Sequence, residues 1–238
     1  MKFKQTFAAV ALLASPAIMA GELTGNVGVV SDYVFRGIDQ SASGAAVQGG
    51  MDYATDLGIY TGLWVTNSAA GGGNEADVYV GYGLKLGEFT LDAGAIFYAY
   101  TEDTEVGTAP NTDYVEAYVG AGIGPLSAKV FYAPEFGRDT DGTPSGDPDK
   151  NELLYITVSA TLNLSDTLSF VPQLGFSAGD GVKDAFGDEY NDYSLTAIKK
   201  LKDDLSVSLT IVGTDLEPVP ANSDNPKFVI GFKKSFKI

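Results

Sequence analysis

The 238-residue sequence contains no cysteine and no histidine, and both absences restrict the chemistry that it can perform. Without cysteine, no disulfide framework holds the chain together and no thiol can act as a nucleophile. Without histidine, the usual general base of hydrolases is missing. We therefore predict that the protein is not an enzyme, with catalysis by carboxylates alone left as the alternative. No cofactor and no metal site is predicted.

Long apolar runs are missing as well, because nothing beyond the first 20 residues approaches the roughly 18 apolar residues of a membrane helix. Residues 1–20 are typical of a secretory signal peptide: Lys2 and Lys4 precede an apolar centre, and small residues lead to Gly21. The sequence thus predicts a signal peptide over 1–20 and a mature domain over 21–238. Two classes stay open for this domain, a soluble exported β protein and an outer-membrane β-barrel.

A repeated segment indicates how the mature chain is built. The segment from Asp77 to Leu84, D-V-Y-V-G-Y-G-L, returns almost intact from Glu116 to Ile123, E-A-Y-V-G-A-G-I. Acid, tyrosine and glycine alternate with apolar residues in both copies, so each copy predicts a strand with one polar and one apolar face. A tight turn and a second alternating run follow each copy, which makes the repeated unit a β-hairpin.

The whole mature chain follows this scheme, with about twelve strands joined alternately by short turns and long loops. Long strands in even number, with short turns at one end and long loops at the other, are typical of transmembrane barrels. We predict an all-β, antiparallel, up-and-down transmembrane β-barrel with short periplasmic turns and long extracellular loops. The first strand is expected from about Glu22 to Arg36, and Pro172 is expected to cause a bulge.

In such a barrel the apolar face meets lipid and the polar face lines the interior. Aromatic residues near strand ends, including Phe97, Phe131 and Tyr190, are predicted to form interfacial girdles. Small residues such as Gly81, Gly83 and Gly120 predict an incompletely filled interior, and Lys129 is expected to pair with Glu116 or Asp92. About twelve strands should leave a narrow pore, with occlusion by an inward-folded loop as an option. The pore-lining candidates are Asp52, Asp77, Tyr79, Asp92, Glu116, Tyr118, Lys129 and Tyr155.

Basic residues are scarce, 15 against 31 acidic ones, and most of the excess carboxylates fall on the predicted outer end. Rings of carboxylates favour cations, so we predict a weak cation preference. Loops that stay soluble or bind divalent ions beside lipopolysaccharide are the alternative. The segment from Asp139 to Lys150 departs from a calcium loop, because Pro144 replaces the required glycine and Lys150 the bidentate glutamate. The acidic loop residues include Glu102, Asp103, Glu105, Asp139, Asp141, Asp147, Asp149, Asp184, Asp188 and Glu189.

The segment from Ser31 to Ser41, S-D-Y-V-F-R-G-I-D-Q-S, resembles the opening signature of the TorF family of porins, also catalogued as the Gcw_chp family. The segment from Leu63 to Asn67 is similar to the family's following W-x-S-N element. Asp39 and Thr66 stand where the pattern has small hydroxyl residues. The signature-motif candidates are Asp32, Tyr33, Arg36, Gly37 and Gln40.

The resemblance implies a Gram-negative outer-membrane barrel that forms a channel for small hydrophilic solutes or ions. The expected partners are the lipid bilayer, lipopolysaccharide, small solutes or cations, and the barrel assembly machinery. The last of these would read the C-terminal strand, where Phe228, Ile230, Phe232, Phe236 and Ile238 share one face. No nucleic-acid partner is predicted, and a homo-oligomer is left open. The alternative function is a non-conducting structural or adhesin-type surface barrel.

Overall fold

A computed structural model describes residues 21–67, 73–101, 113–136, 151–217 and 225–238. The predicted signal peptide lies outside these residues, as do the segment from Asp139 to Lys150 and the acidic loop positions Glu102, Asp103 and Glu105. In the part of the chain that is described, no helix has the length and apolar character needed to cross a membrane.

Fifteen strands and one short helix make up the described chain. The first part contains β1 (Glu22–Val30), β2 (Val34–Phe35), β3 (Ile38–Asp39), β4 (Ala46–Ala54), β5 (Ile59–Thr66), β6 (Asn74–Leu86), β7 (Phe89–Thr101) and β8 (Tyr114–Ile123). The second part contains β9 (Leu126–Ala133), β10 (Leu153–Ala160), β11 (Leu162–Ser165), β12 (Leu168–Ala178), α1 (Asp180–Phe186), β13 (Tyr190–Lys200), β14 (Leu205–Thr214) and β15 (Lys227–Lys237).

All strands except β2 and β3 form one antiparallel sheet that closes on itself. Each of these strands pairs with the next one in the chain except β10 with β11, β1 pairs with β15, and β10 pairs with β12 to complete the ring. Since β10 and β11 are two parts of one interrupted strand, the ring is a closed barrel of twelve strands. The predicted fold is therefore confirmed.

The interruption between β10 and β11 lies opposite Pro172. Ser159 pairs with Gln173 before the gap and Leu162 pairs with Phe170 after it, so the register is unchanged across the gap. Proline has no N–H to donate, which explains the local loss of ladder bonds. The bulge predicted at Pro172 is wrong, and the register shift lies instead between Asn163 and Ser165.

The connections sort to opposite ends of the barrel. Residues 55–58, 87–88, 124–125, 166–167 and 201–204 are the short turns. The other end carries the long connections, one of which contains α1, a helix that the sequence analysis did not predict. Val182 of this helix is completely buried.

Exposure alternates along the strands as predicted for a barrel in lipid. Val78 and Val80 on β6 and Val119 on β8 are about half exposed, whereas Asp77, Glu116 and Tyr155 are completely buried inside. The C-terminal strand likewise directs Phe228, Ile230, Phe232, Phe236 and Ile238 outward.

The aromatic girdle was predicted correctly only in part. Phe97 faces outward, but Phe131 and Tyr190 are buried in the interior, 2 % and 3 % exposed. Both lie on the polar-facing rows of their strands, so strand parity, rather than nearness to a strand end, decides where an aromatic ring points.

Candidate functional site: the barrel interior and its inward hairpin

The first strand does not continue to Arg36, and this correction defines the site. β1 ends at Val30, and the chain then forms a separate two-stranded hairpin from β2 and β3. Phe35 pairs with Ile38 and Val34 with Asp39, while the Gln40 N–H donates to the Tyr33 carbonyl at 2.7 Å. This hairpin shares no ladder with the barrel wall and folds into the lumen. We call residues 31–45, from the end of β1 to the start of β4, the inward hairpin.

The local chemistry of the sequence explains the hairpin's shape. Asp39 accepts bonds from the N–H groups of Ser41 and Ser43, each at 2.8 Å, which is a turn-forming use of a short acidic side chain. The tip places Arg36 at φ 48° and Gly37 at φ 80°. Glycine reaches this left-handed region without cost, while arginine does so at a cost of about 1 kcal/mol.

Lys227, the first residue of β15, anchors the base of the hairpin. Its ammonium group donates to Asp39 Oδ2 at 2.5 Å, to Asp32 Oδ1 at 3.1 Å and to Ser43 Oγ at 3.0 Å. The lysine and Asp39 side chains are almost fully shielded from solvent. This group of four residues, which we call the latch, fastens the hairpin to the wall at its outer end.

Burial of Asp39 alone would raise the pKa of its carboxyl group. The hydrogen bonds from Lys227, Ser41 and Ser43 act in the opposite direction and outweigh it, so the pKa lies below the usual aspartate range. Asp39 is therefore ionised at neutral pH, as the latch requires.

Arg36, at the tip, occupies a cage made by the barrel wall. Its Nη2 donates to Glu116 Oε2 at 2.7 Å, and Tyr98 donates to the same oxygen at 2.9 Å. Three rings surround the guanidinium carbon: Tyr155 at 4.3 Å, Phe35 at 4.7 Å and Phe131 at 5.4 Å from the ring centroids. Cation–π contacts of this kind contribute roughly 0.5–2 kcal/mol each.

Two further contacts show that the hairpin crosses the lumen. Tyr33, which is 1 % exposed, donates to both carboxylate oxygens of Glu75 on β6, at 3.1 and 3.3 Å. On the other side, a side chain at Gly37 would collide with Thr214 on β14 and with Asp192 on β13, whose Cβ would lie 2.8 Å away. The hairpin thus reaches from β6 to β14.

Both elements of the sequence resemblance meet here. The Trp64 ring packs on Tyr33 with ring centroids 5.5 Å apart, and Asn67 Oδ1 accepts a bond from the Val47 N–H at 2.7 Å. The segment from Leu63 to Asn67 thus contacts Tyr33 in the first element and Val47 just after the inward hairpin.

Nearer the short turns, tyrosine rings cross the interior above glycines. A Cβ at Gly81 would overlap Tyr60 and one at Gly94 would overlap Tyr118; these two tyrosine hydroxyls bond to each other. Lys129 fills the space above Gly120. The prediction that Gly81 and Gly120 leave the interior open is therefore wrong, whereas Gly83 does face open space.

Lys129 pairs with Asp92 at 2.6 Å, one of the two partners that the sequence analysis offered. Tyr60 donates to the other oxygen of Asp92 at 2.6 Å, and Tyr79 donates to Asp52. The lower interior is thus a network of tyrosine–carboxylate and lysine–carboxylate bonds.

The upper interior concentrates carboxyl groups around the tip of the inward hairpin. The carboxylates of Glu75, Asp77, Glu116 and Asp192 are all buried, and Arg36 is the cation that lies among them. Among the described residues, the other two buried basic side chains, Lys129 and Lys227, have carboxylate partners outside this set. Burying a carboxyl group without a partner is costly.

All eight side chains predicted to line a pore lie on the interior side of the barrel. They occupy the alternate strand positions that point inward, as the completely buried Asp77, Glu116 and Tyr155 show. Of the signature candidates, Asp32 joins the latch, Tyr33 and Arg36 contact the wall, Gly37 forms the tip and Gln40 closes the hairpin. That these residues line a conducting pore stays a prediction.

Five wall residues that surround the inward hairpin were missed by the sequence analysis. Glu75 and Phe131 could have been found, since each lies two positions from a predicted pore-lining residue and therefore on the same face. Tyr98 lies in the same row as Asp92 and could have been found in the same way. Asp192 and Lys227 reach the site because of how distant strands are arranged around the barrel, and no local sequence pattern indicates that arrangement. The missed residues are Glu75, Tyr98, Phe131, Asp192 and Lys227.

Comparison with protein families gives one match, over residues 14–236, to a family described as "Bacterial protein of unknown function (Gcw_chp)". The chain belongs to the Gcw_chp family. Comparison with curated proteins gives no significant sequence match.

Solved structures resemble this Gcw_chp chain along almost its whole length. The NanC porin aligns with TM-score 0.58 and 14 % identity, covering 91 % of this chain and 100 % of NanC. The KdgM porin aligns with TM-score 0.56 and 12 % identity, covering 90 % and 99 %. An outer membrane channel from Pseudomonas putida F1 aligns with TM-score 0.50 and 12 % identity, covering 93 % and 97 %. At these identities the likeness establishes the fold, which is that of outer-membrane porins.

Proposed function

We propose that this protein is a porin-like channel of the Gram-negative outer membrane, through which small hydrophilic solutes or ions diffuse. The observation that supports this function most directly is the closed twelve-strand barrel with an apolar outer face and a charged, buried interior. The porin fold of the solved neighbours and the sequence resemblance to TorF porins support the same function. Export through a signal peptide over residues 1–20, contact with lipopolysaccharide, and folding by the barrel assembly machinery belong to this proposal.

The pore is narrow and weakly selective for cations. The inward hairpin crosses the lumen, and the carboxylates beside it outnumber the guanidinium of Arg36, so a diffusing cation meets a favourable potential. The KdgM porin has been solved in complex with oligogalacturonate. A polyanion of this type would meet like charge in the present lumen, and we do not carry that substrate over.

A second function, a non-conducting surface barrel, is favoured by the hairpin itself. Tyr33, Arg36 and Gly37 contact the wall at widely separated strands, so little open cross-section remains at their level. In both functions the protein is not an enzyme, in line with the porin fold of its structural neighbours.

Conductance in planar bilayers separates the two functions. The matched variant replaces residues 32–44 by a short turn, which is feasible because Val30 and Ala46 are ladder partners. We expect small, cation-selective conductance for the wild type and a several-fold larger one for the variant. Absence of channels in the wild type alone, with the variant conducting, would establish the plugged barrel. Absence in both folded proteins would reject a channel.

Reversal potentials in a salt gradient test the cation preference. In the hairpin-deleted variant, the further changes Glu75→Gln and Asp77→Asn should shift the reversal potential toward zero. The matched control is Glu88→Gln, an exposed carboxylate in a short turn far from the hairpin. An anion-selective wild type would reject the preference.

A further inference from the structure

The cage around Arg36 is made of two separable parts. Glu116 belongs to β8, Tyr98 to β7, Phe131 to β9 and Tyr155 to β10, so these four side chains are fixed by the barrel ladders. The guanidinium group comes from the inward hairpin, whose strands β2 and β3 form a sheet of their own, separate from the wall. The wall therefore keeps a carboxylate and aromatic faces in place whether or not the hairpin is docked.

The chemistry of this wall fits a planar organic cation. A carboxylate accepts the parallel N–H groups of a guanidinium, and aromatic faces attract its delocalised charge. The guanidinium carbon of Arg36 lies 4.3 Å from the Tyr155 centroid and 5.4 Å from that of Phe131. An ammonium group carries the same charge but cannot donate two parallel N–H bonds to one carboxylate.

The tethered guanidinium uses this wall incompletely. Arg36 reaches Glu116 through a single bond from Nη2 to Oε2, and Glu116 Oε1 is buried without a donor among the described residues. Nε and Nη1 of Arg36 likewise find no acceptor within that part of the chain. Its backbone is also held in the left-handed region. A free guanidinium, without a backbone to constrain it, could engage both oxygens of Glu116.

We propose that the wall cage of Tyr98, Glu116, Phe131 and Tyr155 is a binding site for guanidinium-type cations, and that Arg36 is a tethered occupant that competes with them. The site deepens the proposed channel function, on which it rests for access through the lumen, by naming guanidino compounds as its solute class. A solute that binds here takes the place of Arg36 and leaves the tip of the hairpin without its wall contact.

A chemical-rescue experiment tests the site without requiring conduction. Arg36→Ala leaves the cage formed and empty, with Glu116 uncompensated. Millimolar methylguanidinium should then raise the thermal unfolding temperature of this variant in detergent micelles saturably, by several degrees. Methylurea, which is similar in shape but neutral, should not. The wild type, whose cage is occupied, should bind methylguanidinium at least ~10-fold more weakly, a difference in affinity that corresponds to about 1.4 kcal/mol.

The double variant Arg36→Ala/Glu116→Gln is the matched control. Removing both partners of a buried pair is milder than removing one, so it should fold. Its response to methylguanidinium should be at least ~10-fold weaker than that of Arg36→Ala, because the charge-assisted fork is lost. Equal responses in the single and double variants would overturn the proposal. If Arg36→Ala does not assemble alone, the readout is its refolding yield from urea, which methylguanidinium must restore.

Single-channel currents then separate the failure of this site from the failure of the channel. Methylguanidinium should block potassium current through Arg36→Ala in a concentration-dependent way that Glu116→Gln abolishes. If methylguanidinium stabilises Arg36→Ala but no current is seen, the binding site is supported and the channel function is rejected. If current is seen without stabilisation or block by methylguanidinium, the binding site is rejected and the channel function is supported.

Discussion

At the residue scale, pairs of a glycine and a tyrosine on neighbouring strands determine how the barrel interior is packed. Gly62 makes room for Tyr79, Gly81 for Tyr60 and Gly94 for Tyr118. Each ring lies against the sheet and donates its hydroxyl to a neighbouring carboxylate or tyrosine, so the glycines serve packing here and not pore width. Protein interiors at this density respond to a single added methyl group.

Gly94→Ala should therefore destabilise the barrel. A Cβ at this position would overlap both the Tyr118 hydroxyl and the backbone carbonyl of Val80, and the latter cannot move aside. Overpacking of this kind costs about 1–3 kcal/mol. Urea unfolding of the protein in lipid vesicles, followed by tryptophan fluorescence, would measure the change in the free energy of unfolding.

Gly83→Ala is the matched control for that measurement. Gly83 faces the same interior from the neighbouring strand, but a Cβ there meets nothing within 4 Å. We expect no loss of stability, or a gain of a few tenths of a kcal/mol, because alanine restricts the unfolded chain. Equal losses at the two positions would contradict the packing role.

At the scale of elements, strands and turns could be predicted because alternation and turn residues are local signals. Occlusion by an inward-folded loop was an option, but the segment that forms it could not be predicted, since its contacts join residues far apart in sequence: 80 positions separate Arg36 from Glu116, and 188 separate Asp39 from Lys227. The extended pattern from Glu22 continues through Tyr33, so alternation alone does not reveal where β1 ends. The local signs of a turn here are the Asp39-x-Ser41-x-Ser43 spacing and the small residues from Ser41 to Gly44.

The latch makes docking of the hairpin sensitive to acid. Because the pKa of Asp39 is lower in the folded protein than in the unfolded chain, its ionised form stabilises the docked hairpin at every pH above the ordinary aspartate pKa, about 3.9. This stabilisation is lost as the pH falls through the lowered value. Single-channel recordings should show longer open times in that acidic range than at pH 7.

Asp39→Asn should show the long open times already at neutral pH, since Lys227 then lacks its nearest carboxylate. Asp215→Asn is the control: a hydrogen bond from Asn191 also lowers the pKa of Asp215, but this residue bonds β13 rather than the hairpin. If Asp39→Asn gates like the wild type at pH 7, the latch does not hold the hairpin.

At the scale of the whole molecule, the arrangement of faces was predicted from composition and periodicity together. A chain without a long apolar run can still cover a wide surface with apolar side chains if every second residue points outward. Val80 and Leu86 on β6 show the result, since 52 % and 55 % of their surfaces are exposed. A soluble protein would not present such rows of aliphatic side chains around its full circumference.

If the apolar face meets lipid, the free-energy cost of placing a charged side chain on it depends on how deep that position lies in the bilayer. Val80 lies in the middle of the thirteen-residue β6, whereas Leu86 ends it at the short turn. Val80→Lys should lower the free energy of unfolding in vesicles by about 2–4 kcal/mol, and Leu86→Lys by about 0–1 kcal/mol, since lysine near the interface reaches water. The two variants share strand and face, and each replaces an aliphatic residue by lysine, so depth is the main difference between them. Equal costs would mean that water bathes both positions, and the membrane location would then be wrong.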